Sequence, residues 1–224
     1  MQTKPFVIYI AGYGRSGSSA LSRSLLLHPA ILSGGELGRL RKYIAENKEC
    51  ACGENVDKCI VWKNANSGSI SDIAFATTEA GFDILVDSSK TTYIDFLRPL
   101  KYKMHGYDLL FIHLVRPLVG VMSSVEKGTN KDLETGSSKR RRLHFTRSVL
   151  GYCFAHIAAL ALRVFFQRTM TVYHSEMLTD LPKVAKQILE KTNINLSEIS
   201  SENISGISGQ HEIAGNRLLR KLGQ

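Results

Sequence analysis

Short apolar runs alternate with longer helical patterns along this chain. The run at residues 109–115, Leu-Leu-Phe-Ile-His-Leu-Val, is apolar on both faces, which is typical of a strand covered by helices on each side. The alternation predicts an α/β fold, a three-layer domain with a mainly parallel central sheet. The predicted strands are residues 6–11, 83–86, 109–114 and 170–173. The predicted helices are residues 18–27, 92–101, 118–126, 141–166 and 181–190.

The length and composition of the chain indicate one globular unit. Its 224 residues, of which 43% are hydrophobic, are enough to bury one sizeable core. We therefore expect a single domain over residues 1–224. The pattern is irregular over about residues 34–69, a stretch that contains three of the four cysteines and the only tryptophan, and we interpret it as an insertion over the functional site. Residues 203–215 are rich in Ser, Gly and Asn and predict a loop.

The chain is basic, with 29 Lys and Arg against 20 Asp and Glu and a net charge of +9. This charge attracts anionic ligands such as nucleotides, acidic glycans, nucleic acids or membrane surfaces. The apolar run at residues 6–10 is too short for a secretion signal. The stretch at residues 153–166 is interrupted by His156 and Arg163 and is shorter than the roughly 20 residues of a membrane span. We expect a cytoplasmic protein with reduced cysteines and no membrane partner.

Glycines and hydroxyls follow the first predicted strand and precede the first predicted helix. Residues 12–19 are Gly-Tyr-Gly-Arg-Ser-Gly-Ser-Ser. Glycines let the backbone turn so that successive N–H groups face one anion, and the hydroxyls add further donors. The segment therefore predicts a P-loop-like phosphate site.

Two common phosphate-binding motifs share part of this spacing. Gly12, Gly14 and Gly17 match the dinucleotide fingerprint, but no good strand with an acidic ribose ligand is predicted after the helix. The spacing from Gly12 to Gly17 also fits a nucleoside triphosphatase loop, but the lysine that this motif requires is Ser18 here. The sequence also offers no clear acidic partner for magnesium, which argues against a kinase or an ATPase.

The position of the loop arginine favours a third class. Arg15, followed by Ser-Gly-Ser-Ser, resembles the 5′-phosphosulfate loop of the sulfotransferases that use 3′-phosphoadenosine 5′-phosphosulfate (PAPS). Arg116 ends the third predicted strand and Ser124 follows eight residues later on the next helix. These two residues resemble the 3′-phosphate site of the same family, although Pro117 follows the arginine directly where the family usually has Asp or Asn first. A guanidinium can hold phosphate and sulfate oxygens together and keeps its charge.

Further motifs occur in the order of this family, so that the resemblance runs from about Phe6 to Arg220. Residues 87–90, Asp-Ser-Ser-Lys, are similar to its strand-end segment, and Tyr173 to a tyrosine that lies against adenine. Residues 50–62 resemble a Cys-rich loop of bacterial members, and residues 211–216 their terminal His-x-x-x-Gly-Asn. The resemblance implies that PAPS is bound by Gly14, Arg15, Ser16, Gly17, Ser18, Ser19, Arg116, Ser124, Tyr173, Asn216 and Arg217.

The resemblance also implies the reaction. A sulfuryl group would move in line from PAPS to a hydroxyl or amine of a small-molecule or carbohydrate acceptor, without a metal. Such a displacement needs a base and cations. Glu36 matches the catalytic glutamate of protein-tyrosine and some carbohydrate sulfotransferases, with Arg15 and Lys90 as the stabilising cations; a solvated loop carboxylate is the alternative for Glu36. The insertion at residues 34–69 would then lie over the acceptor.

The sequence leaves the roles of several serines and histidines open. Ser88 and Ser89 would bind the bridging region of the donor or cap the following helix. His28 and His113 are expected to be structural, while His211 would lie near the donor or form a turn.

The cysteines suggest zinc, but the spacing predicts none. Cys50, Cys52 and Cys59 form a C-x-C-x6-C pattern without paired C-x2-C knuckles and without an evident fourth ligand. We interpret this segment as a packed thiol loop that shapes the acceptor pocket with Trp62, and we expect no metal.

The densest basic stretch, residues 139–142, does not interleave with aromatics, so we expect no nucleic-acid partner. It would be a solvated helix start or contact the 3′-phosphate or an anionic acceptor. A homo-oligomer remains open. The alternative function from another class is a non-catalytic nucleotide-binding or nucleic-acid-associated basic protein.

Overall fold

A computed structural model describes residues 4–65, 67–90, 95–126, 143–192 and 209–213. The six strands are β1 (Phe6–Gly12), β2 (Ile31–Gly35), β3 (Ile84–Asp87), β4 (Leu109–Val115), β5 (Arg168–Tyr173) and β6 (Gln210–Ile213). The helices are α1 (Ser18–Ser24), α2 (Leu40–Ala45), α3 (Ile70–Glu79), α4 (Arg98–Met104), α5 (Leu118–Glu126), α6 (Leu143–Arg163) and α7 (His174–Glu190). Short 3-10 turns cover Leu25–Leu27, Leu37–Arg39 and Trp62–Asn64.

The strands form one sheet in the order β5-β4-β1-β3-β2-β6, and every pairing among them is parallel. Apolar residues cover both faces of this sheet. Alternate residues of β1 separate into two cores, with Val7 and Tyr9 in one and Ile8 and Ile10 in the other. The predicted α/β class with a parallel sheet is therefore confirmed.

The structure corrects the sequence prediction around β2. Residues 31–35 were not expected to form a strand, yet Ile31 and Leu32 are fully buried and β2 pairs with both β3 and β6. The missing strand was therefore a wrong argument against a dinucleotide fold. The strand order supplies a sound one, because β1 lies between β3 and β4, whereas a dinucleotide fold pairs its first two strands directly.

Other boundaries also differ from the prediction. The loop expected over residues 203–215 contains β6, and the segment expected to be irregular over residues 34–69 contains α2, with α3 directly after it. Helix α4 begins at Arg98, while residues 91–94 lie outside the described part. Helix α7 begins at His174, whereas the sequence predicted a helix from residue 181. The predicted helix is only the part of α7 that follows a kink. At this kink Asp180, two residues before Pro182, has an extended backbone conformation.

Helix α6 packs against β1 and β4 and leaves an apolar outer face. Leu150, Ile157 and Val164 on or next to this helix are more than half exposed. Within the described residues, the segment Phe145–Arg163 is long and apolar enough to span a membrane by length and composition, a test that core helices of soluble proteins also pass.

Candidate active site

Four of the segments singled out in the sequence lie at the carboxyl edge of the sheet. The glycine-rich loop follows β1, Glu36 follows β2, Lys90 lies three residues after β3, and Arg116 follows β4. Ligands of open parallel sheets bind beyond this edge of the strands. The fold therefore places the predicted phosphate loop and the predicted catalytic residues on one edge.

The loop after β1 has the backbone of an anion cradle. Arg15 adopts a left-handed conformation with φ of 68°, and Gly17 follows with φ of 95°. Alternation of right- and left-handed residues turns successive N–H groups towards one side. A side chain at Gly17 would also lie 3.1 Å from the ring of His174, so this position requires glycine for two reasons.

A hydroxyl in this loop lacks a partner. Ser16 is buried, and its Oγ atom makes no hydrogen bond to any residue that the structure describes. An unsatisfied buried hydroxyl costs about 1–3 kcal/mol. A bound anion at the loop would satisfy it.

The second arginine joins the loop directly. Nη1 of Arg116 donates a hydrogen bond of 2.7 Å to the backbone carbonyl of Arg15, and the carbonyl of Arg116 accepts one of 2.9 Å from the hydroxyl of Tyr152. Ser124 lies half-buried on α5, the helix that the sequence predicted for it. Arg116 thus connects the end of β4 to the phosphate loop after β1.

Glu36 is held among cations at the end of β2. Its carboxylate pairs with Nζ of Lys90 and, at 3.0 Å, with Nε of Arg39, and only 14% of its side chain is exposed. A solvated loop carboxylate is therefore the wrong description. Burial raises the pKa of Glu36, but the charges of Lys90 and Arg39 lower it by more, so the net pKa lies below the ordinary value.

The backbone around Glu36 is fixed by the neighbouring strand. The N–H of Glu36 donates a hydrogen bond of 2.7 Å to the carbonyl of Ile213 in β6. The pairings of β2 with β3 and with β6 both shift register between Ser33 and Gly35. Irregularities of this kind change the direction of side chains and are common next to active sites. Gly35 has φ of 66°, and a Cβ there would lie 2.8 Å from the same Ile213 carbonyl. The position before the carboxylate therefore requires glycine.

A buried carboxylate organises the segment that carries Lys90. Oδ2 of Asp87 accepts hydrogen bonds from Nε of Arg98 at 2.6 Å and from the hydroxyl of Tyr102 at 2.8 Å. The other carboxylate oxygen of Asp87 accepts hydrogen bonds from the N–H and the hydroxyl of Ser89. The Oγ atom of Ser89 in turn accepts a hydrogen bond of 2.8 Å from the N–H of Gly38. Ser89 therefore joins the end of β3 to the 3-10 turn that follows β2, while residues 91–94, where the helix that it would cap was predicted to begin, lie outside the described part.

The histidines expected to be structural have local partners. Nε2 of His113 lies 2.7 Å from Nδ1 of His156, and Nδ1 of His28 accepts a hydrogen bond of 3.3 Å from the N–H of Ala30. Burial, assisted by His156 and Arg163, lowers the pKa of His113 to about 4. This pair is therefore neutral at physiological pH.

His211 lies neither at the donor loop nor in a turn, because it belongs to β6 and faces the cysteines. Its Nδ1 is 3.2 Å from Sγ of Cys59 and 3.8 Å from Sγ of Cys50, while the sulfurs of Cys52 and Cys59 are 3.7 Å apart. Hydrogen bonds from Cys50 and His211 lower the pKa of Cys59. Trp62 is fully buried beside this group, so its side chain forms part of the core.

The remaining predicted site residues are Tyr173, Asn216, Arg217 and the basic stretch. Tyr173 is 51% exposed at the start of α7. Asn216, Arg217 and the basic stretch at residues 139–142 lie outside the described residues. Their roles stay predictions.

A cavity of about 290 Å³ lies away from this site. It is lined by Lys103, Tyr107, Phe165 and Arg168, among others, at the amino ends of β4 and β5. None of the predicted site residues lines it, and it lies at the opposite edge from the one where parallel sheets bind ligands.

Sequence patterns missed several residues of the site. Arg39 is the second cation on Glu36, and its position in a 3-10 turn could not be read from periodicity. The ring of His174 lies beside Gly17 of the predicted phosphate loop, and burial together with Arg116 lowers the pKa of this histidine. The sequence signal that could have identified His174 was its position directly after Tyr173 at the end of β5.

Comparison with known proteins supports the fold and does not assign a family. No protein-family model matches the sequence, and no curated protein matches it. The sulfotransferase domain from the curacin biosynthetic pathway is similar with a TM-score of 0.61 and 19% identity, over 96% of this chain and 86% of that one. Sulfotransferase STF1 from Mycobacterium tuberculosis H37Rv gives a TM-score of 0.52 and 13% identity, over 93% and 75% of the two chains. The chain shares the α/β fold of these structures.

A phosphotransferase structure also matches, more weakly. A putative kinase from Chloroflexus aurantiacus gives a TM-score of 0.43 and 12% identity, over 84% of this chain and 98% of that one. A TM-score below 0.5 does not establish a shared fold.

Proposed function

We propose that the protein is a sulfotransferase that uses PAPS as donor and releases 3′-phosphoadenosine 5′-phosphate (PAP). One observation carries the proposal: the Glu36 carboxylate is held between Lys90 and Arg39 on the same strand edge as a loop built to receive an anion. A base and a cation at adjacent strand ends supply what sulfuryl transfer needs.

The phosphate loop and Arg116 would hold the donor. The N–H groups and the unpartnered Ser16 hydroxyl face the 5′-phosphosulfate, and Arg116 and Ser124 take the 3′-phosphate, with Tyr173 against adenine. Arg15 stabilises charge on the transferring and departing oxygens. Asn216 and Arg217 complete the proposed donor site.

The transfer step follows from this arrangement. The acceptor oxygen or nitrogen attacks sulfur, the bond between sulfur and the bridging oxygen of the 5′-phosphate breaks, and PAP leaves with that electron pair. The acceptor proton passes to Glu36, whose lowered pKa keeps it ionised at neutral pH. Lys90, released from its ion pair as Glu36 becomes neutral, stabilises the transferring group.

The acceptor is a hydroxyl or amine of a small molecule or carbohydrate, with residues 34–69 over its site. Isothermal titration with PAP, ATP and NAD tests the donor, and we expect binding of PAP at least tenfold tighter than of the other two. A transfer screen with labelled PAPS over phenols, sugars and small alcohols tests the reaction. Absence of PAP binding, or transfer of phosphate from ATP, contradicts the proposal.

A further inference from the structure

Four metal-ligating side chains converge at the edge of the sheet next to β6. Cys50, Cys52 and Cys59 come from the segment after α2, and His211 comes from the distant strand β6. Their ligand atoms all lie within 4.8 Å of one another. The sequence spacing left a fourth ligand unnamed, and the fold supplies it.

The distances fit a tetrahedral ion. Zinc bonds of about 2.3 Å to sulfur and about 2.0 Å to nitrogen place two sulfurs about 3.8 Å apart, and sulfur and nitrogen about 3.5 Å apart. The Cys52 and Cys59 sulfurs are separated by 3.7 Å, and Nδ1 of His211 lies 3.2 and 3.8 Å from the sulfurs of Cys59 and Cys50. A disulfide requires about 2.05 Å between sulfurs, so this spacing is that of separate ligands.

The backbone around the group holds it in place. Cys50 donates its N–H to the carbonyl of Glu54 at 2.8 Å and accepts from the N–H of Gly53 at 3.1 Å, which closes a tight turn around Cys52. The indole of Trp62 donates a hydrogen bond of 2.7 Å to the carbonyl of His211. Outer contacts of this kind orient the ligands of metal sites.

Burial leaves one entrance to the group. Cys50, Cys59 and His211 are 3% exposed or less, whereas Cys52 is exposed. Three thiolates and a neutral imidazole match the Cys₃His set of structural zinc sites, which leave no position open for substrate.

We propose that Cys50, Cys52, Cys59 and His211 bind one structural zinc ion. The ion fastens β6 to the segment at residues 50–59, beside the hydrogen bond of 3.2 Å from the Ala51 N–H to the Glu212 carbonyl. The carbonyl of Ile213 in β6 also accepts a hydrogen bond from the N–H of Glu36. The metal therefore supports the strand that positions the candidate base. This departs from the expectation of a metal-free protein, but the ion takes no part in the transfer.

Metal analysis of the purified chain tests the proposal without any activity assay. We expect about one zinc per chain after purification without chelator, and the ligand-field absorption of tetrahedral thiolate-bound cobalt after exchange with Co²⁺. His211→Ala should lose the metal. Cys52→Ser removes a ligand at the surface, so it should keep its circular dichroism spectrum and still bind zinc at least tenfold more weakly.

The control is Cys153→Ser, which removes an exposed thiol on α6, outside the cluster. It should keep full zinc content. A folded wild-type chain that takes up neither Zn²⁺ nor Co²⁺ overturns the proposal, as does a wild-type mass lower by two hydrogens, which would assign a disulfide. Full metal content in Cys52→Ser at limiting zinc also overturns it.

Discussion

The guanidinium of Arg116 donates a hydrogen bond to the backbone carbonyl of Arg15, so the two arginines expected at opposite ends of the donor are joined directly. This bond uses one nitrogen of the Arg116 guanidinium. Because the guanidinium is planar and rigid, the bond also fixes the directions of its other N–H donors. The proposed 3′- and 5′-phosphate contacts would therefore be coupled through the strand ends of β4 and β1.

Removal of either arginine should weaken donor binding. Arg116→Ala deletes the link to the loop, and Arg15→Gly deletes the side chain while keeping a backbone that suits the positive φ at this position. Loss of a charge-assisted contact of about 1.5–3 kcal/mol predicts roughly 10- to 100-fold weaker PAP binding in titration calorimetry. Arg168→Ala, at the other edge of the sheet, is the control, and equal affinity in all four proteins would falsify the assignment.

Glu36→Gln should separate turnover from binding. The amide keeps the shape of the side chain but cannot accept a proton, so turnover should fall about 100-fold or more while PAP affinity stays near that of the wild type. Steady-state transfer at saturating acceptor measures this effect. Glu46→Gln neutralises an exposed glutamate and should change nothing. If Glu36→Gln retains most of its turnover, the base is another group.

Transfer itself should not need magnesium, because the loop has Ser18 where a nucleoside triphosphatase has lysine, and the proposed base and cations are side chains. Activity measured within minutes of adding a chelator should equal the untreated value. A loss that magnesium alone restores would favour phosphotransfer. A slow loss that only zinc restores would instead report on the cysteine and histidine group.

Asp87→Asn should destabilise the fold strongly. The fully buried carboxylate accepts hydrogen bonds from Arg98 and Tyr102. Its neutralisation removes the shorter of the two ion pairs of the buried Arg98 guanidinium and leaves only the contact with Asp95 at 3.3 Å. Breaking a buried pair in this way costs about 3–5 kcal/mol, measurable by urea denaturation. The exposed Asp57→Asn serves as control. A change below about 1 kcal/mol for Asp87→Asn would contradict the network.

The His113 and His156 pair should make stability fall in mild acid. The pKa of His113 in the folded protein is about 4, below the ordinary 6.5, so the unfolded chain binds more protons between these values. This contribution is complete above about pH 6.5 and is lost as the pH falls towards 4, up to about 3 kcal/mol. Between about pH 7 and pH 5, His113→Gln should lose less free energy of unfolding than the wild type. The control His105→Gln, which changes an exposed histidine, should lose as much as the wild type. Equal losses in all three proteins would show that His113 does not cause the fall in stability.

The elements found from the sequence were those with strong local signals. β1 and β4 are long apolar runs, and the glycine-rich loop, Arg116 and α5 follow them directly, so their places could be predicted. β2 was missed because it is five residues long, contains two glycines and follows Pro29 closely. Neither periodicity nor composition marks such a strand.

The rest depended on contacts between distant residues. β6 has polar residues at three of its four positions and becomes a strand because Glu212 is buried against Arg23 and Ser33. The pairing of His211 with the cysteines, and of Glu36 with both Lys90 and Arg39, likewise joins residues far apart or in irregular turns. A pattern along the chain cannot report such pairings.

The place of β6 at the edge of the sheet has a consequence for how the chain is made. β2 leaves the ribosome early, but its outer edge stays unpaired until residues 210–213 have been synthesised, almost the whole chain later. Until then an apolar strand with free backbone groups is open to pairing with other nascent chains. The final assembly of the Glu36 region therefore waits for the synthesis of β6, and slow elongation before β6 or low zinc during expression should favour aggregation over folded protein.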